Sequence, residues 1–125
     1  MWALVTGASD GIGEAICHQL AASGINIVLV ARSQEKIQKV AKDLKEKYNV
    51  NTIIYVYDFN SLNSPEAAQS FLDSLDFKTK NRDIGILVNN VGAYFAEPTR
   101  NICDMIHVNC CTQAILTKHY LAKWG

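Results

Sequence analysis

Three glycines near the start of the chain, Gly7, Gly11 and Gly13, have a spacing that suits phosphate binding. Glycine tolerates positive φ and lets a ligand approach the backbone closely. An apolar run precedes the glycines and a helix-forming run, 14–22, follows them, so the turn would join a buried strand to a helix. That helix would direct its N-terminal N–H groups and the positive end of its dipole at the turn, which predicts an anion site. A strand–helix turn that only needs glycines is the alternative.

Arg32, followed by Ser33, is the second position with a chemical meaning, because it ends a nearly all-apolar run, 25–31. If a dinucleotide lay across the glycine turn, this position would contact the adenosine ribose. An acidic residue here would accept a hydrogen bond from a free 2′-hydroxyl, whereas an arginine would pair with a 2′-phosphate. The arginine therefore favours NADP(H) over NAD(H). A surface arginine after a strand is the alternative.

Adjacent asparagines, Asn89 and Asn90, come directly after a fourth apolar run, 84–88, and Val91 and Gly92 follow them. Asparagine side chains can hydrogen-bond to neighbouring backbone, so they would fix the floor of the site, and the glycine would permit close approach. Alone, this tetrapeptide would indicate only a turn. After a buried strand it predicts part of a binding site.

Alternating strands and helices would position these residues. The pattern predicts strands at 2–6, 25–31, 52–57 and 84–88, and helices at 11–23, about 34–48, 65–75 and about 101–123, with a loop at 93–99. Such βαβ alternation predicts an α/β fold with right-handed crossovers. We expect a Rossmann-like, doubly wound parallel sheet of four strands in the order 3-2-1-4, with helices on both faces and a ligand at the carboxyl ends of the strands.

Composition excludes several other classes. The chain has 125 residues, enough for one domain, and its 12 basic and 12 acidic residues cancel. Because there is no basic run, we expect no nucleic-acid partner, and because no apolar stretch approaches 18 residues, we expect no membrane segment in this chain. The cysteines have no metal-ligand spacing and are expected to be reduced, small, buried or half-buried side chains. We expect no metal site, and the histidines are interpreted as structural or exposed: His18, His107, His119.

The glycine turn resembles the nucleotide-binding motif of the short-chain dehydrogenase/reductases. The resemblance lies in the run Thr6-Gly7-Ala8-Ser9-Asp10-Gly11-Ile12-Gly13, and the Asn-Asn-Val-Gly segment is similar to the family's Asn-Asn-Ala-Gly motif. The resemblance implies that Asp58, with Phe59, contacts the adenine ring. It also implies that Asn109 belongs to a Ser–Tyr–Lys–Asn catalytic set, in which it helps to hold a proton-relay water.

A narrower resemblance concerns the runs 2–7, 31–33 and 85–92. These look like the subgroup of 17β-hydroxysteroid dehydrogenases and very-long-chain 3-ketoacyl-CoA reductases. That implies an NADP(H)-dependent oxidoreductase that reduces a ketone, or oxidises a secondary alcohol, on a small-molecule, lipid-like substrate. The subgroup resemblance implies the endoplasmic reticulum; otherwise we expect the cytoplasm or an organellar matrix.

The family's catalytic serine and its Tyr-x-x-x-Lys pair are expected beyond the last helix. We therefore expect residues 1–125 to be the NADP-binding portion of such an enzyme, apparently truncated before those groups. A catalytically inactive dinucleotide-binding or structural subunit of a larger assembly is the alternative. In either case we expect a homo-oligomer or larger assembly that covers the edge of the fourth strand and the last helix. A flavodoxin-like binder is disfavoured by the Asn-Asn-x-Gly segment.

Overall fold

The computed structural model describes residues 1–92 and 102–125. The strands are β1 Trp2–Thr6, β2 Asn26–Ala31, β3 Thr52–Val56 and β4 Ile84–Val88. The first helices are α1 Gly11–Ala22, α2 Gln34–Tyr48 and α3 Pro65–Lys78, with a 3₁₀ turn at Phe59–Ser61. The C-terminal part comprises α4 Ile102–Ile106, a π-helical turn at His107–Cys111 and α5 Thr112–Trp124. The predicted loop 93–99 lies outside the described residues.

The four strands form one parallel sheet in the order β3-β2-β1-β4, which confirms the predicted topology. Alternate residues of the fully buried β1 point to opposite faces of the sheet. Val5 packs in one core with residues of α1 and α2, and Leu4 packs in a second core with Phe71 of α3 and Leu116 of α5. Helices therefore cover both faces, and β1 lies between two buried layers.

Both ends of α3 follow from local side chains. Ser64 Oγ accepts a hydrogen bond from the Ala67 N–H at 3.0 Å, and Pro65 occupies the first turn, so α3 begins where the sequence predicts. The predicted end of α3 near Leu75 is wrong, since the helix continues to Lys78. No breaker follows Leu75, and α3 ends only where Thr79 Oγ1 donates to the Leu75 carbonyl.

The predicted C-terminal helix is present from residue 102 to residue 124 among the described residues, but it contains a π turn. The sequence of this helix predicts a broad inner face, and the prediction is partly wrong because Ile102, Ile106 and Gln113 are exposed. The residues predicted to share that face are Ile102, Met105, Ile106, Asn109, Thr112, Gln113, Leu116 and Tyr120. The π turn adds a residue to one turn, which rotates the helix faces on its two sides relative to each other. The buried residues of the π turn and of α5 are four apart: Val108, Thr112, Leu116 and Tyr120.

No helix within residues 1–92 and 102–125 combines the length and the apolar character that crossing a membrane requires.

Candidate functional site

Thr6 joins the carboxyl ends of the neighbouring strands β1 and β4. Its hydroxyl donates to the Val88 carbonyl at 3.3 Å and accepts from the backbone N–H groups of Asn90 at 3.0 Å and Val91 at 3.1 Å. A hydroxyl has one proton to donate and two lone pairs to accept with, so this group is saturated. The end of β1 and the segment after β4 are thereby held in one fixed arrangement.

Asn90 completes this junction from the other direction. Its side-chain Nδ2 donates to the carbonyls of Thr6 and Gly7, both at 3.2 Å. Gly7 has φ +63°, and a Cβ there would lie 2.9 Å from Asn90 Nδ2. A Cβ on Gly13 would overlap the Gly7 carbonyl oxygen. Both glycines are therefore required for close packing of the turn against Asn90.

The third glycine has a different role, because Gly11 begins α1 in open space. Its φ is +55°, and no atom lies within 4 Å of the position that a Cβ would take. Asp10, at the N-cap position, makes no side-chain capping hydrogen bond. The first N–H groups of a helix have no intrahelical partner, so the start of α1 presents donors to an anion placed over the turn.

A pocket of about 210 Å³ opens at the carboxyl ends of the strands. Its lining includes the predicted site residues Gly7, Ser9, Asp10, Arg32, Ser33, Asp58, Phe59, Val91 and Gly92. The other predicted residues lie outside the lining: Gly11, Ile12, Gly13, Asn90 and Asn109. Gly13 and Asn90 instead support the turn from below, and the Ile12 side chain is largely exposed.

The pocket also contains residues that the sequence analysis did not assign to a site: Ala31, Lys36, Tyr57, Asn60 and Val108. Lys36 Nζ pairs with Asp10 Oδ2 at 3.2 Å, which links the first turn of α2 to the glycine turn. No signal in the sequence singles it out, because Lys36 stands among the other lysines and glutamates of α2.

Asp58 and Phe59 have local roles at the end of β3. Asp58 Oδ1 accepts from the Asn60 N–H at 3.0 Å, as expected of a turn-forming aspartate. Phe59 is buried and makes edge contacts with Tyr57 and Phe71, so it forms the floor of the pocket.

Tyr57 stacks on Phe71 with ring centroids 4.5 Å apart. Burial raises the pKa of Tyr57, and repulsion from Tyr55 and Asp58 raises it further. Tyr57 therefore stays neutral and contributes an aromatic wall.

Asn109 lies in the π turn, beside the Asn-Asn-Val-Gly segment. Its Oδ1 is 3.5 Å from the position that a Cβ on Gly92 would take. Its neighbour Val108 is buried and lines the pocket. Thr112 Oγ1 donates to the His107 carbonyl at 3.0 Å across the turn. The fold thus brings the predicted catalytic asparagine to the β4 side of the site.

The remaining titratable groups have structural surroundings. His18 Nδ1 contacts the Tyr48 hydroxyl at 3.1 Å, and His119 pairs with Asp76. Within the described residues no group of three His, Cys, Asp or Glu side chains could hold a metal ion. Cys17 is buried, and this raises the pKa of its thiol to about 12. The expectation of buried or half-buried thiols is wrong for Cys103 and Cys110, which are exposed on the outer side of the C-terminal helix.

Comparison with known families agrees with this geometry. The family model described as short chain dehydrogenase matches residues 1–124. This chain belongs to the short-chain dehydrogenase family. The match covers almost the entire chain, including the glycine turn, the Asn-Asn-Val-Gly segment and the helix that carries Asn109.

Two relatives show how similar this short-chain dehydrogenase chain is to curated proteins. It is 40% identical over 122 residues to the human protein named inactive hydroxysteroid dehydrogenase-like protein 1, covering 92% of this chain and 35% of the relative. It is 38% identical over 131 residues to very-long-chain 3-oxoacyl-CoA reductase-B of Danio rerio, covering 98% of this chain and 40% of the relative. The chain thus spans less than half the length of these relatives.

Solved structures have the same fold. A 7β-hydroxysteroid dehydrogenase structure superimposes with a TM-score of 0.79 at 30% identity, covering 98% of this chain and 47% of that one. A short-chain dehydrogenase from Sphingobium yanoikuyae, solved in complex with NADPH, superimposes with a TM-score of 0.76 at 28% identity and covers 93% of this chain and 45% of that one. The chain corresponds to about half of each structure.

Proposed function

We propose that this chain forms the NADP(H) site of an oxidoreductase that interconverts a ketone and a secondary alcohol on a lipid-like small molecule. The observation that carries the proposal is the glycine turn, which Asn90 holds from below and which opens into a pocket that reaches Arg32. If the turn only connected β1 to α1, a side chain could cap the first N–H groups of α1. The Asp10 side chain does not cap them, and they lie beside the pocket, as a phosphate site requires.

The residues of the chain match the successive parts of a dinucleotide. The N–H groups at the start of α1 would hold the pyrophosphate. Arg32, with Ser33 beside it, would pair with the 2′-phosphate, and Asp58 would face the adenine. When bound, NADP(H) supplies or accepts the hydride.

Asn109 is proposed to position a water molecule for proton transfer. Its place in the π turn next to Gly92 supports this, since an amide there is close to the β4 side of the pocket. The lipid-like substrate class is supported by the name of the 3-oxoacyl-CoA reductase relative. The subgroup resemblance also supports the proposal that the protein is located at the endoplasmic reticulum.

Association is proposed through β4 and the outer face of α5. Within the described residues β4 pairs only with β1, and Leu121 and Trp124 expose large apolar surface next to it. A free strand edge with nearby apolar side chains is normally covered in a folded protein.

A second candidate function is a catalytically inactive dinucleotide-binding protein. The human relative at 40% identity is named inactive, whereas the Danio rerio relative at 38% identity is named a reductase. Both candidates use the same dinucleotide pocket, so they differ in turnover and not in cofactor binding.

The first experiment is calorimetric titration of the full-length protein with NADPH and NADH. We expect NADPH to bind more tightly. Arg32→Asp should raise the Kd of NADPH by about 10- to 100-fold, since hydrogen bonds to charged groups contribute about 1.5–3 kcal/mol. Failure of both dinucleotides to bind would overturn the proposal. Turnover of a 3-oxoacyl-CoA or a ketosteroid with NADPH then separates the reductase from the inactive binder.

A further inference from the structure

The charged side chains that line the dinucleotide pocket cancel. Arg32 and Lys36 are the cationic lining residues, and Asp10 and Asp58 are the anionic ones. The proposed ligand is an anion at its pyrophosphate and, in NADP(H), at its 2′-phosphate as well. Side chains of zero net charge add little to the attraction of the α1 N–H groups for such a ligand unless one of these charges changes partner on binding.

The ion pair between Lys36 and Asp10 is the contact that can change. Its two atoms are 3.2 Å apart, and the side chains are 61% and 69% exposed. An exposed pair of this kind contributes little to stability, because water screens both charges. A phosphate dianion is a stronger partner for an ammonium group than a carboxylate is, because the phosphate carries more negative charge. The pair is therefore weak enough to be exchanged.

The backbone around Lys36 keeps its side chain near the position where a 2′-phosphate would lie. Lys36 lies in the first turn of α2, where its N–H donates to the Ser33 hydroxyl at 3.4 Å. The next residue, Ile37, is fully buried and anchors this turn to the core. Arg32 precedes Lys36 by four residues and lines the same pocket. Only the flexible four-carbon stem of the lysine has to move.

We propose that Lys36 is a specificity-determining residue, whose ammonium group leaves the Asp10 carboxylate and binds the 2′-phosphate when NADP(H) enters. This inference rests on the proposed function. In this proposal Asp10 holds the lysine beside the glycine turn until NADP(H) binds, and Asp10 is not itself a ligand of the cofactor. NAD(H), which has no 2′-phosphate, leaves the Lys36–Asp10 pair intact.

A simpler role for Lys36 makes a different prediction. The lysine could act only by neutralising Asp10, which lies beside the pyrophosphate position. In that case removing Lys36 would weaken NADPH and NADH equally, and it would have no effect once Asp10 is neutral. The two roles are separable because one depends on Asp10 and the other on the 2′-phosphate.

The test is a double-mutant cycle on the full-length protein, in which the Kd values of NADPH and NADH are measured for Lys36→Gln, Asp10→Asn and the double variant. Lys36→Gln should raise the Kd of NADPH roughly tenfold, as for loss of one charge-assisted hydrogen bond. The effect on NADH should be much smaller. Asp10→Asn should lower the Kd of NADPH a few-fold, because it frees the lysine. In the Asp10→Asn background, Lys36→Gln should still raise the Kd of NADPH and leave that of NADH unchanged.

Two further variants serve as controls. Lys39→Gln removes the same charge from the next turn of α2, on an exposed side chain outside the pocket lining, and should change neither Kd. Lys36→Arg should retain most of the preference for NADPH. The inference is overturned if Lys36→Gln has no effect on NADPH in the Asp10→Asn background, or if it affects both dinucleotides equally. Absence of dinucleotide binding in the unaltered protein would overturn the proposed function itself.

Discussion

The two ends of the sheet are built from different kinds of contact. At the carboxyl ends of the strands, which we call the front edge, small residues and hydrogen bonds hold the backbone. Thr6 and Asn90 connect β1 to the segment after β4, and Gly7 and Gly13 allow these parts to touch. Each of these hydrogen bonds has a backbone group as one partner, so the front edge has little room to adjust.

The amino ends of the strands, the back edge, are held by large side chains. Trp124 Nε1 donates to the Ile84 carbonyl at 2.7 Å, and the guanidinium of Arg82 lies 5.5 Å from the centre of the Trp2 ring. Asp76 Oδ1 is 2.8 Å from Lys123 Nζ and 2.9 Å from His119 Nε2, which ties α3 to α5. Trp2 is buried, but Arg82, Trp124, Asp76 and Lys123 are partly or largely exposed, so water can replace a lost contact there.

This difference indicates which parts of the molecule tolerate amino-acid substitutions. The pocket lies at the front edge, and the shape of the pocket depends on the positions of backbone atoms. A single carbon atom added at Gly7 or Gly13 would move these atoms. The back edge only has to hold helices together, which several weak contacts do in parallel. We therefore expect substitutions at the front edge to have larger effects than substitutions at the back edge.

The largest expected effect is that of Gly13→Ala. The new Cβ would overlap the Gly7 carbonyl, so either α1 or the turn must move. We expect a loss of at least about 3 kcal/mol in the free energy of unfolding, the upper end of the usual cost of overpacking. Urea unfolding measures it, and binding of NADPH should be lost as well.

Gly24→Ala is the matched control for Gly13→Ala. Gly24 follows α1 with φ +82° and has no atom within 4 Å of a Cβ, so only backbone strain of about 1–2 kcal/mol is expected. If the two substitutions destabilise the protein equally, the front edge is not the rigid part that we describe.

Thr6→Val should have an intermediate effect. Valine keeps the shape but removes the hydroxyl that accepts from the N–H groups of Asn90 and Val91. Unsatisfied buried groups cost about 1–3 kcal/mol, and hydrogen exchange at these two amides should accelerate. Thr6→Ser restores the hydroxyl and should recover most of the loss. Equal exchange rates in the valine variant and the unaltered protein would contradict this role.

Asp76→Asn, at the back edge, should have the smallest effect, below about 1 kcal/mol for a partly exposed pair. Burial opposes ionisation of Asp76, but hydrogen bonds from Lys123 and His119 prevail and lower its pKa. A carboxyl group with a lowered pKa stabilises the fold above its unfolded pKa of about 3.9, and this contribution is lost as the pH falls through the folded value. Urea midpoints of both proteins between pH 7 and pH 2 should converge at the acid end. A difference that stays constant with pH would contradict the ion pairs.

Much of the fold was predictable because it follows from local patterns. Continuous apolar runs such as 25–31 indicate strands buried on both faces, and their alternation with helices leads to the observed strand order. The glycine turn was predictable as well, since its spacing lies within one segment. A glycine is needed at position 13 because a Cβ there would meet the Gly7 carbonyl and the Asn90 side chain. The contact with Asn90 arises only when the chain folds, so the sequence alone did not show it.

Other features had no local signal. Lys36 lies on a helix face rich in charges, where a pocket lysine looks like any solvated one. The π turn at His107–Cys111 was missed because a regular period of 3.6 residues places Ile106 and Gln113 inside, whereas the wider turn moves both to the surface. Both errors concern where a side chain points, which depends on packing between elements.

The contact between Thr6 and Asn90 also has a consequence for the timing of protein synthesis. The two residues are 84 positions apart in the chain. Since ribosomes add roughly 5–20 residues per second, Thr6 waits on the order of 4–17 seconds for its partner to be made. During that interval β1 can pair with β2 but lacks its other neighbour, β4. The glycine turn, although it precedes Asn90 in the chain, is therefore among the last parts of this region to take its final shape on the nascent chain.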